Sequence, residues 1–214
     1  MWTCEVQALT PTTLTSALGL QSHANNSYKL DHWAATVRDA ADGEQIMLMD
    51  ADMAILRPLD EVWAQEFDLA YTVRDPKYTR FPFNGGVVCV RVSDRTKRFV
   101  AEWRTENFAM LTNAPMHRPG RIKYGGINQA SFGTLIHDRG RLPLKVAKLP
   151  CLEWNCEDSS WERFDPALTR VLHLKGHLRR AVFGQDTAVK PGVKRLVALW
   201  HSLEAQATMR ARSA

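Results

Sequence analysis

The sequence predicts an α/β domain with a mixed central sheet flanked by helices. Three observations point there. Short apolar or β-branched runs alternate with longer helical ones along the chain. The helical stretch 30–41 passes through Asp42-Gly43 directly into an apolar strand at 45–49. That strand then empties into two carboxylates, Asp50 and Asp52, one residue apart. At 214 residues, 45% hydrophobic and 24% charged, the chain has the composition of a soluble globular domain and can bury a sizeable core.

The elements follow in order. Residues 2–9 alternate enough for a strand, and 10–22 read as a loop or short helical piece. Residues 30–41 carry apolar positions at Leu30, Trp33, Ala34 and Val37, and Asp42-Gly43 supplies a C-terminal stop. After the strand at 45–49, residues 58–63 suggest a short helix with Pro58 in its first turn. Residues 68–73 form a short strand, and 86–92 a β-branched one entered through Asn84-Gly85-Gly86. Ser93 caps a helix over 94–107, with Phe99, Val100 and Trp103 on its buried face. The stretch 124–135 opens on the flexible pair Gly125-Gly126 and turns helical. Residues 145–149 and 169–174 are late strands, and 193–207 an amphipathic helix with Val193, Leu196, Val197, Trp200 and Leu203 on one side. The division expected is a domain over 1–187 and a basic C-terminal helix over 188–214, packed on that domain or used in association.

The longest apolar runs fall far short of the roughly 20 residues needed to cross a bilayer. No basic segment followed by an apolar one opens the chain, so a cytoplasmic location is expected. Cys4, Cys89, Cys151 and Cys156 show no C-x-x-C spacing and read as reduced thiols. Net charge is +5, and from Asp165 onward nine Lys or Arg stand against three Asp or Glu. Such a segment suits a solvated helix face, phosphate groups, nucleic acid or an anionic membrane surface. No motif that reads bases accompanies it.

Asp50 and Asp52 carry the sharpest chemical signal. In a strand, residues i and i+2 share a face, which would put both carboxylates side by side. Two hard oxygen ligands that close suit Mg²⁺ or Mn²⁺, ions that bind few protein carboxylates plus substrate phosphates. His173, after an apolar strand, would add a neutral nitrogen to the set; its plainer reading is a structural imidazole satisfied by backbone. Gly176 would let backbone N–H groups approach a phosphate, and Arg179, with Lys175 as a second cation, could clamp a diphosphate as its charge grows.

Four further segments follow the aspartates: Phe83-Asn84-Gly85-Gly86-Val87-Val88, Gly126-Ile127-Asn128-Gln129, Leu149-Pro150-Cys151-Leu152-Glu153-Trp154-Asn155 and His173-Leu174-Lys175-Gly176-His177-Leu178-Arg179. In that order they resemble the nucleotide-sugar glycosyltransferases of the GT-A fold, and are similar in particular to family 8. The family pattern is D-x-D after a strand, N-x-G-V, D-Q, L-P-x-x-W-N and a closing H-x-x-G-x-x-K. The resemblance spans about residues 30–180. It implies a metal-dependent transferase with Mn²⁺ or Mg²⁺, a nucleotide-sugar donor (UDP-sugar by default), a glycan or other hydroxyl-bearing acceptor, and retention of anomeric configuration. Asp50, Asp52 and His173 would hold the metal. Lys29, Asn84, Gly85, Gly86, Lys175, Gly176 and Arg179 would bind the donor, Gln129 and Asn128 would sit at the reacting carbon, and Trp154 and Asn155 would line the acceptor side.

The chain departs from the pattern in three places. Asn128 stands where the family has aspartate, Arg179 where it has lysine, and only 49 residues precede Asp50, so the first β-α unit of the fold is expected to be missing. Two other readings stay open beside the transferase: a catalytically silent protein of the same fold that binds a nucleotide sugar or glycan, and a nucleic-acid-binding or -modifying protein.

Overall fold

The computed structural model describes residues 21–140, 143–185 and 191–213. The strand expected at 2–9, and most of the piece at 10–22, lie outside those residues. Helix α1 (Gln21–Asp39) buries Leu30, Trp33 and Val37, a spacing that puts all three on one face. It begins nine residues before the sequence-based boundary, because the polar stretch leading into Leu30 carries no apolar periodicity. Gly43, at φ +89°, turns the chain toward β1 (Gln45–Met49). A bend then leads to the short strand β2 (Met53–Ile55). Pro58 precedes, rather than opens, a 3₁₀ turn at Asp60–Ala64.

Strands β3 (Leu69–Val73) and β4 (Phe83–Arg91) form the middle of a four-stranded sheet of order β1-β4-β3-β5, where β5 is Val146–Pro150. β4 runs antiparallel to both neighbours, and β5 lies parallel to β3, so the sheet is mixed. Ser93 caps helix α2 (Asp94–Thr112): its side chain accepts from the Thr96 N–H while the Thr96 hydroxyl accepts from the Ser93 N–H. Helix α3 (Ala114–Tyr124) was not legible in the sequence, because Pro115, Pro119 and Gly120 fall inside it. Helix α4 (Ile127–Gly133) continues into a π-helical turn at Thr134–Arg139.

Side chains of β4 alternate between two cores, as a pleat requires. Val88 and Val90 join Leu30, Trp33, Phe99, Trp103 and Phe132 beneath α1, α2 and α4. Val87 and Cys89 join Leu59, Val62, Phe67, Trp154 and Val171 on the opposite face. Both faces of the sheet are thereby covered. A second, two-stranded sheet pairs β2 with β6 (Val171–His173). Its cluster includes Trp161, Leu172 and Leu178, with helix α6 (Gly176–Val182) and helix α7 (Pro191–Ser213) packed on it; α5 (Cys151–Trp154) is a single turn after β5. Val193 and Leu196 of α7 are buried against this cluster. Cys89, Cys151 and Cys156 are buried, unbridged thiols, and burial pushes each up to about 12. Among the described residues no helix is long and apolar enough to cross a membrane.

Candidate metal centre

Backbone pairings gather distant residues at one spot. Met53 faces His173 across the β2–β6 pair, and the Leu174 N–H donates to the Asp52 carbonyl at 2.7 Å. On the other side of the bend, the Asp50 N–H donates to the Gly86 carbonyl at 2.9 Å. Asp50-Ala51-Asp52 is thus a bend between strands, not strand. The i, i+2 argument does not align these carboxylates; the pairings at either end do. Asp50, Asp52 and His173 each present a ligand atom, all within 4.8 Å of one another. His173 Nε2 lies 3.7 Å from Asp50 and 3.3 Å from Asp52.

Asn84-Gly85-Gly86 is not the turn before a strand but part of β4 itself. The register against β3 jumps from Tyr71↔Val88 to Thr72↔Asn84, so residues 85–87 bulge out of the ladder. Glycine is required at 86: a Cβ there would come within 2.6 Å of Met53 Cε and 2.9 Å of His173 Cε1.

Starting from backbone groups, whose roles are fixed, the hydrogen bonds determine the protonation of His173. The Gly86 N–H donates to Asn84 Oδ1 at 2.8 Å, and the Thr72 hydroxyl donates to the Asn84 carbonyl at 2.7 Å. Thr72 Oγ1 and Asn84 Oδ1 are then both acceptors for Asn155 Nδ2, at 2.9 and 3.1 Å. The remaining amide atom, Asn155 Oδ1, faces His173 Nδ1 at 2.9 Å, so that nitrogen carries the proton. Nε2 keeps its lone pair and faces the carboxylates, the arrangement a metal-ligating imidazole needs. Burial, above all, lowers the His173 pKa to about 4; Asp50 opposes that shift and Lys175 adds to it. The ring is neutral at pH 7.

Two cations flank the acids. Lys29 Nζ lies 2.6 Å from Asp50 and 4.4 Å above the Trp33 ring. The Arg179 guanidinium pairs with Asp52 and also donates to the Leu174 carbonyl at 3.3 Å. Lys175 instead turns toward Glu157 (3.6 Å) and Asp158 (3.8 Å). Glu157 is fully buried and receives two hydrogen bonds from Arg74, at 3.1 and 3.0 Å. Burial opposes its ionisation, but a hydrogen bond from Asp158, the Arg74 charge and Ser159 outweigh it and bring Glu157 to about 2. Nothing in the sequence marks Arg74 and Glu157 as a pair, since they lie far apart in the chain.

The other expected residues are more dispersed. Gln129 bridges the Gly85 N–H (3.4 Å) and the Tyr124 carbonyl (2.7 Å), beside the bulge. Asn128 is buried and donates to the Asn26 carbonyl at 2.7 Å; its own amide oxygen has no hydrogen-bond partner among the described residues. Trp154 belongs to the core and is capped by Arg170, 4.9 Å from its ring, so it presents no open face. Asn155 is wholly buried behind His173 and orients it, a role the sequence did not reveal. Gly176 starts α6 at φ +52°, a conformation that favours glycine.

The sequence matches no protein-family model and no curated protein. Two solved structures are similar in shape. One is a glycosyltransferase involved in glycosylation of the major capsid of PBCV-1, at 12% identity and TM-score 0.49, covering 80% of this chain and 77% of that one. The other is the glycosyltransferase GlyE of Streptococcus pneumoniae TIGR4, at 13% identity and TM-score 0.44, covering 80% of this chain and 46% of that one.

Proposed function

We propose that this chain is a divalent-metal-dependent glycosyltransferase of GT-A type, drawing its sugar from a nucleotide-diphosphate donor. The observation that carries the reading is the convergence of Asp50, Asp52 and a neutral His173 whose Nε2 is held toward both acids. Two carboxylate oxygens and one imidazole nitrogen fit Mn²⁺, and Mg²⁺ less closely. Bound there, the ion would supply positive charge opposite a departing diphosphate.

The protein's own groups do the rest. Lys29 and Arg179 stand beside the acids, where they can turn to the phosphates of a donor. Gln129, tied to the Gly85 bulge, is suited to position the transferred sugar. Retention, UDP as the nucleotide and donor contacts through Gly85, Gly86 and Gly176 are proposed from the resemblance to family 8. Trp154 is not proposed as an acceptor platform, since it is buried.

Purified protein with Mn²⁺ and a panel of nucleotide sugars tests this reading. Hydrolysis or transfer of at least one donor, lost with EDTA and in Asp52→Asn, supports it; no turnover of any donor, with donor binding unchanged in Asp52→Asn, refutes it. A silent donor-binding protein is the second reading. The observation favouring it is Asn128, an amide in place of the family's carboxylate, tied to the Asn26 carbonyl. Binding of UDP-sugar with Mn²⁺ but without turnover would select that reading.

A further inference from the structure

A surface cleft of about 680 Å³ opens between α3 and the β3–β4 loop that carries Arg80. Its wall carries Arg80, Arg118 and Arg121 with Ile122, and Gly125 and Gly126 form one end; among the described residues no Asp or Glu lines it. That volume is within the roughly 300–1,000 Å³ of small-ligand sites. Arg118, Arg121 and Ile122 share a helix face because they are spaced i, i+3 and i+4. Arg80 and Arg118 make no ion pair among the described residues, and the Arg80 guanidinium stacks 4.8 Å from the Phe81 ring. Arg80 and Arg118, neither ion-paired among the described residues, form an anion-selective wall.

The cleft ends against the candidate site. A Cβ on Gly125 would lie 3.0 Å from Gln129 Nε2 and 3.5 Å from the Phe81 ring, so Gly125 borders both the cleft and the glutamine. Gln129 accepts from the Gly85 N–H, and Gly86, next along, packs against His173. A ligand reaching Gly125 from the cleft therefore approaches the site from the Gln129 side.

We propose that this cleft is the acceptor subsite, and that the acceptor is a saccharide bearing an anionic group, carboxylate or phosphate. The proposal rests on the transferase reading above. Arg80 and Arg118 hold the anion, while Ile122 and Pro115 offer apolar surface to a sugar ring. A free hydroxyl is thereby directed past Gly125 toward Gln129. Its oxygen bonds to the anomeric carbon of the donor as that carbon's bond to the diphosphate breaks. The bonding electron pair leaves with the diphosphate, which takes the hydroxyl proton.

An NMR-monitored titration of the full chain, in EDTA and without donor, tests the subsite alone. The probes are trehalose, trehalose 6-phosphate and a glucuronate-terminated disaccharide. At least one anionic probe is expected to bind with shifts at Gly125 and Gly126, roughly tenfold or more tighter than trehalose. Arg80→Ala with Arg118→Ala should weaken it by roughly tenfold or more per arginine, and added salt should weaken it further. Comparing the two anionic probes distinguishes phosphate from carboxylate. Equal affinity for trehalose, or unchanged affinity in the double variant, overturns the proposal. So does an oligonucleotide that occupies the cleft while no saccharide does. Mn²⁺·UDP binding, measured separately, should be unchanged in the double variant, which also shows that it folds. Loss of Mn²⁺·UDP binding in the unaltered protein would sink the transferase reading, whereas the EDTA titration judges the cleft.

Discussion

Asn155→Ala should loosen metal binding although Asn155 is not itself a ligand. The side chain is wholly buried and makes three hydrogen bonds, at 2.9, 3.1 and 2.9 Å, to Thr72, Asn84 and His173. Thr72 and Asn84 retain other partners after the change, through the Asn84 carbonyl and the Gly86 N–H. The His173 Nδ1–H does not. A buried donor without an acceptor costs about 1–3 kcal/mol, and the space left by the amide about 1 more. Part of that strain can be relieved if the proton moves to Nε2, which then no longer offers a lone pair to a cation. Removing such an orienting partner typically weakens metal affinity about 10–100-fold. Calorimetric titration with Mn²⁺ measures the affinity, and ¹⁵N-histidine NMR of the metal-free protein reads the tautomer directly. The unaltered protein should show His173 protonated at Nδ1, and the variant should show Nε2 protonation. A wild-type ring protonated at Nε2, or a variant within about twofold of wild-type affinity, would refute the reasoning.

Three further outcomes follow from the geometry. Because His173 has a lowered pKa of about 4, the unfolded chain binds its proton first as pH falls below about 6.5. Stability should therefore be retained above that value and drop by on the order of 3 kcal/mol between about pH 6.5 and pH 4, with a shallower drop in His173→Gln, as read by urea melts. Gly86→Ala, which drives a methyl against Met53 and His173, should cost about 1–3 kcal/mol and weaken Mn²⁺ binding; unaltered stability and affinity would show that the close approach is not needed. Glu157→Gln leaves Arg74 without its buried counter-charge and should destabilise the fold by about 3–5 kcal/mol in denaturant titration, with a change under about 1 kcal/mol counting against a structural role for the pair.

Where local pattern decides, the sequence was a good guide. The strand Gln45–Met49 was legible from its apolar run, and the Ser93 cap from a polar residue ahead of a helical period. Helix α3 was hidden by two prolines and a glycine that local rules read as breakers. The site was legible in part for the same reason. Asp50, Asp52 and His173 stand out by residue type, and β2–β6 pairing brings them together. Asn155 does not stand out, because its partners at 72, 84 and 173 come from three different strands. Only tertiary structure distinguishes an asparagine that meets ligand from one that fixes a histidine behind the site. Asn84-Gly85-Gly86 is expected only as the entry to a strand; it lies within β4, where a bulge uses those glycines to let His173 close in.

Mn²⁺ electron paramagnetic resonance, with and without UDP, on the unaltered chain and on the Asp50→Asn, Asp52→Asn double variant, addresses the metal centre most directly. The account predicts one bound ion per chain, a spectrum that changes when UDP is added, and no bound ion in the double variant. Free Mn²⁺ alone in the unaltered protein, or equal binding by both proteins, would contradict it.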